Sequence, residues 1–210
     1  MAENKHVKID FKDVLKTVLV LTIIAVVSGG LLGGINAVTY ISDDEMLSRK
    51  MVNVYTADSF INFATTTNEA YASEKAIVNK YNAGSKNPSV ALMPVKKGVA
   101  EENVMIYRVY GAGDYDCTLL VLVKDNKIEK ISVYSSSATP GIGDKAYKDA
   151  YISQFNGLNL LTAKPLVVVK NNAKENEVNA VAGATKSSEA VKNAVNSAIA
   201  LHKLLKGEGK

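Results

Sequence analysis

The 210 residues include 25 Lys and Arg against 21 Asp and Glu, two His, one Cys and no Trp, with 47% hydrophobic and 22% charged. That balance is globular and excludes a disordered, collagen-like or Pro/Gly-repeat chain. The lone Cys117 excludes a disulfide scaffold and a Cys-only metal or iron–sulfur site within the chain. His6 and His202 stand near opposite ends, outside any zinc-hydrolase spacing, so no metal site is expected. A net charge of +4, spread along the chain, does not mark a nucleic-acid binder.

From Thr17 to Ile41 the sequence runs without a charged residue. At about 1.5 Å per residue a helix of that length crosses a hydrocarbon core of roughly 30 Å. The flank before it carries Lys5, Lys8, Lys12 and Lys16, and the flank after it begins Asp43, Asp44, Glu45. The positive-inside rule then places residues 1–16 in the cytoplasm, 17–41 in the cell inner or plasma membrane as a single pass, and 42–210 outside. A cleaved signal peptide is the competing reading, but its apolar region is typically about 7 to 15 residues long. Gly29, Gly30, Gly33 and Gly34 form two overlapping GxxxG pairs, which admit a second membrane helix or simply reflect how common glycine is in such helices.

Residues 42–210 are nearly neutral and long enough to bury a core as one domain. Helix is expected near the membrane within 43–81 and again over Asn68 to Asn82, and a loop over Asn82 to Gly98, where Gly84, Pro88, Pro94 and Gly98 interrupt the pattern. Strands follow at Val104 to Tyr110, Thr118 to Lys124 and Lys127 to Tyr134, the last two joined by a tight Asp125-Asn126 turn. A short helix is expected over Lys145 to Phe155, a fourth strand over Pro165 to Lys170, and a final helix over Lys186 to Leu205. Val191, Ala194, Val195, Ala198, Leu201 and Leu205 form the apolar stripe of that helix. Together these elements predict an α+β chain: one transmembrane helix, then a mainly antiparallel sheet packed by helices.

Two segments carry chemistry. Val181-Ala182-Gly183-Ala184-Thr185-Lys186-Ser187-Ser188 opens the last helix, where small residues bare the backbone and the unpaired N–H groups of a helix start favour a phosphate. The plain alternative is that Thr185 or Ser187 is an ordinary N-cap. Ser135 to Lys145 contains Thr139-Pro140-Gly141-Ile142-Gly143, a tight loop whose glycines let the backbone approach a flat ligand, or else a turn. Paired, the two segments read as two sides of one cofactor pocket. Tyr115, in the loop from Gly111 to Asp116, is an aromatic candidate for its rim or a turn residue. Cys117 reads as packing, Lys96-Lys97 as a solvated loop, and His202 as a cation favoured at the helix C-terminus.

These residues resemble the FMN-binding domain family that carries flavin covalently on a threonine, found in the G subunit of the Rnf ferredoxin:NAD oxidoreductase and the C subunit of the sodium-translocating NADH:quinone reductase. The resemblance runs in order through the N-terminal anchor, Gly111 to Tyr115, Asn126-Lys127-Ile128, Thr139 to Gly143, Gln154-Phe155-Asn156-Gly157 and Ala182 to Ser188. It implies FMN joined to Thr185 by a flavin transferase, with Gly183, Ala184, Lys186, Ser187, Ser188, Thr139, Pro140, Gly141, Ile142, Gly143 and Tyr115 around it. No side chain is then a catalytic acid or base. Chain length favours the Rnf protein, and the other membrane proteins of that complex would be the partners in an ion-translocating electron relay. The family has Ser at Ala182, an acid at Asn179 and Glu at Ala138. The alternatives are the quinone-reductase protein, a stand-alone anchored flavoprotein, and an anchored non-redox binding or assembly module.

Overall fold

The structure is a computed structural model that describes residues 11–207. His6, Lys5 and Lys8, and the side chains of Asp43 and Asp44, lie outside the described residues. The chain divides into two compact units, 1–46 and 47–210. The first is dominated by helix α1, Phe11–Thr39, which is long and apolar enough to cross a membrane and has no buried residue.

The second unit is built on a six-stranded antiparallel sheet. Its strands are β1 (Ser59–Asn62), β2 (Val90–Lys96), β3 (Val99–Ala100), β4 (Val104–Gly111), β5 (Cys117–Lys124) and β6 (Lys127–Ser136). The order is β1-β2-β4-β5-β6, with β3 paired to β2. β5 and β6 form the expected two-residue hairpin: Asp125 and Asn126 have φ of 49° and 65°, the left-handed pair that matches strand twist. β6 does not alternate cleanly because its register against β5 shifts twice. One shift, between Leu122 and Val123, puts Ile128 and Ile131 both inside although they are three apart.

Helix α5, Thr185–Leu205, packs on β4 and β5. Its stripe of Ala190, Val191, Ala194, Val195, Ala198 and Leu201 is buried against Tyr107, Val109, Leu119 and Val121. Each fully buried Val or Leu side chain there contributes roughly 1.5–3 kcal/mol, and each alanine methyl less. Helix α2 (Asp43–Met51) buries Leu47 and Met51, and α3 (Ala72–Tyr81) buries Val78.

Several expectations are corrected. The supposed loop 82–98 contains β2, an inner strand. Lys96 belongs to that strand, its Nζ donating to the Tyr55 hydroxyl at 3.0 Å and lying 3.6 Å from Glu101. The expected helix 145–155 is broken into a 3-10 turn Gly143–Tyr147, the single helical turn α4 (Asp149–Ile152) and a second 3-10 turn Ser153–Phe155, because Lys148 is extended at ψ 155°. The strand within 165–170 is β7 (Val167–Val169), and it pairs in parallel with β8 (Glu177–Asn179), apart from the main sheet. His202 is not a cationic dipole partner. It is buried, accepts the Tyr107 hydroxyl on Nδ1 at 2.6 Å and donates from Nε2 to Asn126 Oδ1 at 3.1 Å, the tautomer that satisfies all three groups. Burial holds its pKa down at about 4, so the ring is neutral at pH 7.

Candidate functional site

β6 delivers the chain to a loop wound around one carbonyl. The N–H groups of Ile142, Gly143 and Asp144 all face the Thr139 oxygen, at 3.3, 3.0 and 3.4 Å. Pro140 and then Gly141, at φ +80°, occupy the middle of the turn, the type II pattern. Gly143 brings this loop against the start of α5: a Cβ on it would stand 2.7 Å from Ser187 Oγ and 3.0 Å from Ala138 Cβ.

The approach to α5 is equally specific. Gly183 adopts φ +74°, and the Ala184 N–H closes on the Val181 oxygen at 2.9 Å. Ala184 is the N-cap residue, and no side chain caps the helix, so neither Thr185 nor Ser187 plays that part. The first-turn N–H groups keep their partial positive charge without a side-chain acceptor. Ser188 turns inward, its Oγ accepting from the Val181 N–H at 3.1 Å and donating to the Ala184 oxygen at 3.0 Å. Ser187 is fully buried, and among the described residues its Oγ has no hydrogen-bond partner. A buried hydroxyl left unpaired costs about 1–3 kcal/mol, which marks a place where another polar atom belongs.

The two segments enclose a cavity of about 370 Å³ lined by Tyr115, Thr139, Ile142, Gly143, Gly183, Ala184, Thr185, Lys186 and Ser187. All nine are candidates from the sequence. Pro140 and Gly141, on the turn, and Ser188, held by the backbone of its own segment, do not line it.

Lys186 Nζ lies 2.7 Å from Asp114 Oδ2, which joins the helix start to the loop that carries Tyr115. This hydrogen bond, and then the Asp114 charge, raise the lysine pKa, so Lys186 stays cationic. Burial pushes the Cys117 thiol up to about 12, which makes it an inert packing group, as the sequence suggested. Tyr147, which sequence reasoning passed over, donates to the Tyr115 carbonyl at 3.5 Å and has its own pKa raised by burial and by the nearby Cys117. The lining thus offers hydroxyls, one cation and helix N–H groups. It has the chemistry to hold a phosphate ester. Among the described residues no cluster of His, Cys, Asp or Glu could hold a metal ion.

Residues 112–200 match the FMN-binding domain family. Over 98% of this chain and 99% of the relative, the sequence is 32% identical to the G subunit of the Na(+)-translocating ferredoxin:NAD(+) oxidoreductase complex of Acetobacterium woodii. A stretch covering 39% of this chain and 42% of the relative is 35% identical to the G subunit of the proton-translocating ferredoxin:NAD(+) oxidoreductase complex of Clostridium ljungdahlii. The C subunit of the Na(+)-translocating NADH-quinone reductase from Parabacteroides distasonis superimposes with a TM-score of 0.50, covering 80% of this chain and 85% of that one at 20% identity, which shows a shared fold.

Proposed function

We propose, for a chain that belongs to the G-subunit family of ion-translocating ferredoxin:NAD(+) oxidoreductase complexes, that Thr185 carries FMN as a phosphoester in the cavity at the start of α5. The chain is a membrane-anchored, flavin-binding electron-transfer subunit, part of an oxidoreductase with no complete reaction of its own. One observation supports this reading: two loops about forty residues apart in the sequence meet around Thr185, and the buried Ser187 hydroxyl in the lining lacks a partner.

The residues fit the group. The first-turn N–H groups and Ser187 Oγ would donate to the phosphate oxygens, the helix dipole and Lys186 would favour the residual negative charge, and Tyr115, 38% exposed, would offer its ring to the flavin. Thr139, Ile142 and Gly143 form the opposite wall. Bound FMN supplies the redox chemistry, accepting and returning electrons; the protein holds it and sets its surroundings. Attachment needs a flavin transferase and a flavin dinucleotide donor. Thr185 Oγ bonds to the flavin phosphate, the pyrophosphate bond breaks, and the nucleoside monophosphate leaves with the hydroxyl proton.

Lys12 and Lys16 stand on the N-terminal side of the apolar run, which supports a cytoplasmic N-terminus and an extracytoplasmic domain. There a permanent link keeps the flavin from being lost to the medium. In α1 the four glycines are open, with nothing within 4 Å of an added Cβ, a surface suited to a membrane helix of a sister protein in the complex.

The test is flavin fluorescence in a denaturing gel, on full-length chain coexpressed with a flavin transferase. A fluorescent wild-type band and a dark Thr185→Val band are expected. A dark wild-type band, beside a control substrate that labels, contradicts the covalent reading.

A further inference from the structure

The motif Gln154-Phe155-Asn156-Gly157 lies outside the cavity, yet each of its sides is committed to something. Phe155 is buried and meets Tyr151 edge to face, with ring centroids 5.6 Å apart. Gly157, at φ +80°, turns the chain so that its N–H reaches the Ile128 oxygen at 2.8 Å, and Ile128 N–H returns to the Leu158 oxygen at 3.0 Å. These contacts fix Gly157 and Leu158 to the edge of β6, three residues after Gln154, whose side chain reaches outward.

It reaches Asn179. Gln154 Oε1 accepts the Asn179 N–H at 3.0 Å, and Gln154 Nε2 donates to the Asn179 carbonyl at 3.4 Å and to the Tyr151 carbonyl at 3.3 Å. Asn179 ends β8, whose other side is taken by β7: the Ala180 N–H donates to the Val169 oxygen at 2.7 Å. Alternation along a strand therefore turns the N–H and C=O of Asn179 away from β7. The carboxamide of Gln154 pairs with both, as a neighbouring strand would. Beyond it the segment borders a cleft of about 560 Å³ along Asn179, Ala180 and Val181, so no packed element replaces this pairing.

We propose that Gln154 is the positioning residue of the flavin-acceptor segment, its carboxamide clamping the Asn179 peptide so that the chain enters Gly183 and presents Thr185 to the modifying enzyme. The segment is held on its β7 side by the Ala180 N–H to Val169 bond, at 2.7 Å, and on its open side at two points. Gln154 fixes its start at Asn179, and Ser188 Oγ fixes its end at Val181 and Ala184. Between Asn179 and Thr185 lie only small residues and Val181, whose side chains give little anchorage of their own. The proposal rests on Thr185 being the acceptor. In the transfer step the bonds made and broken are those described above, and the Gln154 carboxamide bonds only to the Tyr151 and Asn179 backbone, so it acts through the backbone alone.

The experiment follows the initial rate of covalent flavin incorporation into full-length chain, with transferase and flavin dinucleotide, for wild type, Gln154→Leu and Gln154→Glu. Hydrogen exchange at the Asn179 amide and the melting temperature are read on the same samples. Gln154 is exposed, so the leucine variant is expected to fold. Gln154→Leu should label about tenfold more slowly or worse, because a displaced acceptor loses near-attack geometry, and should lose protection at Asn179 N–H while melting like wild type. Gln154→Glu keeps the acceptor for that N–H, so it should retain the protection and recover part of the rate. Gln154→Leu labelling at the wild-type rate, or keeping Asn179 protected, overturns the proposal. So does slow labelling in both variants with a matching fall in melting temperature, which makes Gln154 a plain stability residue. A dark wild type defeats the Thr185 reading itself, whatever the variants do.

Discussion

Gly111 meets Ala190 backbone to backbone: a Cβ added to Gly111 would stand 1.9 Å from the Ala190 carbonyl oxygen and 2.8 Å from the Ala194 nitrogen. The end of β4 lies on the first turns of α5 because nothing larger than hydrogen stands between them. Gly111→Ala must push the helix off the sheet, and an overpacking cost of about 1–3 kcal/mol or more is expected. Gly113→Ala, 3.4 Å from the Ala190 Cβ, should cost far less. Thermal unfolding of the two full-length variants in detergent compares them directly.

Gly143 faces a softer obstacle, the Ser187 hydroxyl and the Ala138 methyl group. Gly143→Ala is expected to keep the fold, at a cost of about 1–2 kcal/mol, while pressing on the Ser187 hydroxyl, the proposed donor to the flavin phosphate. The measurement is flavin content per chain after denaturation, which should fall well below wild type. Full loading with an unchanged melting temperature would show that the loop and helix start can part without consequence.

Stability should depend on pH through His202. Its folded pKa is about 4, against an ordinary 6.5 in the unfolded chain, so between those values the unfolded chain binds the extra proton. The contribution is fully present above about pH 6.5, is lost as the pH falls toward 4, and amounts to roughly 3 kcal/mol. Denaturant midpoints across this window should fall in the wild type and flatten in His202→Gln. Equal slopes in both would remove His202 from the account.

The parts of the fold that the sequence made legible are those whose burial follows a simple period. β4 and β5 are apolar runs, α5 keeps one stripe from Val191 to Leu201, and Asp125-Asn126 announces its hairpin. β2 was hidden by Pro94, a residue that ordinarily excludes an inner strand. The structure tolerates it because β2 pairs with β4 only over Val90 to Leu92, and at Pro94 its paired neighbour is the short strand β1, with Phe60 opposite. The helix expected over 145–155 is interrupted at Lys148, which is extended, and the turn after it is tied to α5 by the Tyr151 hydroxyl on the Ser188 carbonyl, a tertiary bond that periodicity does not record.

At the site, the two loops were legible because they need particular residues for backbone reasons: positive φ at Gly141 and Gly183, and room at Gly143. The role of Ser188 was not legible, since a hydroxyl that binds its own backbone and one that binds a ligand look alike in sequence. Asn179 shows the same limit. Its Oδ1 accepts the Ala173 N–H at 3.0 Å, a bond a carboxylate makes equally well, so the amide keeps the local structure that an acid would have.

Ala138 is the place where a charge is expected to act on the proposed flavin. It touches the position where a Cβ on Gly143 would lie, one residue behind the cavity wall. Ala138→Glu would place a carboxylate there and disfavour the added electron, so the flavin potential should move to more negative values, on the order of tens of millivolts. A redox titration of the loaded variant checks this; an unchanged potential would place Ala138 too far from the ring to matter.

Intact-mass and peptide mass spectrometry of the full chain, matured with a flavin transferase, reads out whether flavin is held on Thr185 at the uncapped start of α5. The chain should gain one FMN less one water, carried by the peptide that contains Thr185, and Thr185→Val should gain nothing. An unmodified wild-type chain, or an adduct mapped to Thr139 or another residue, would contradict that attachment.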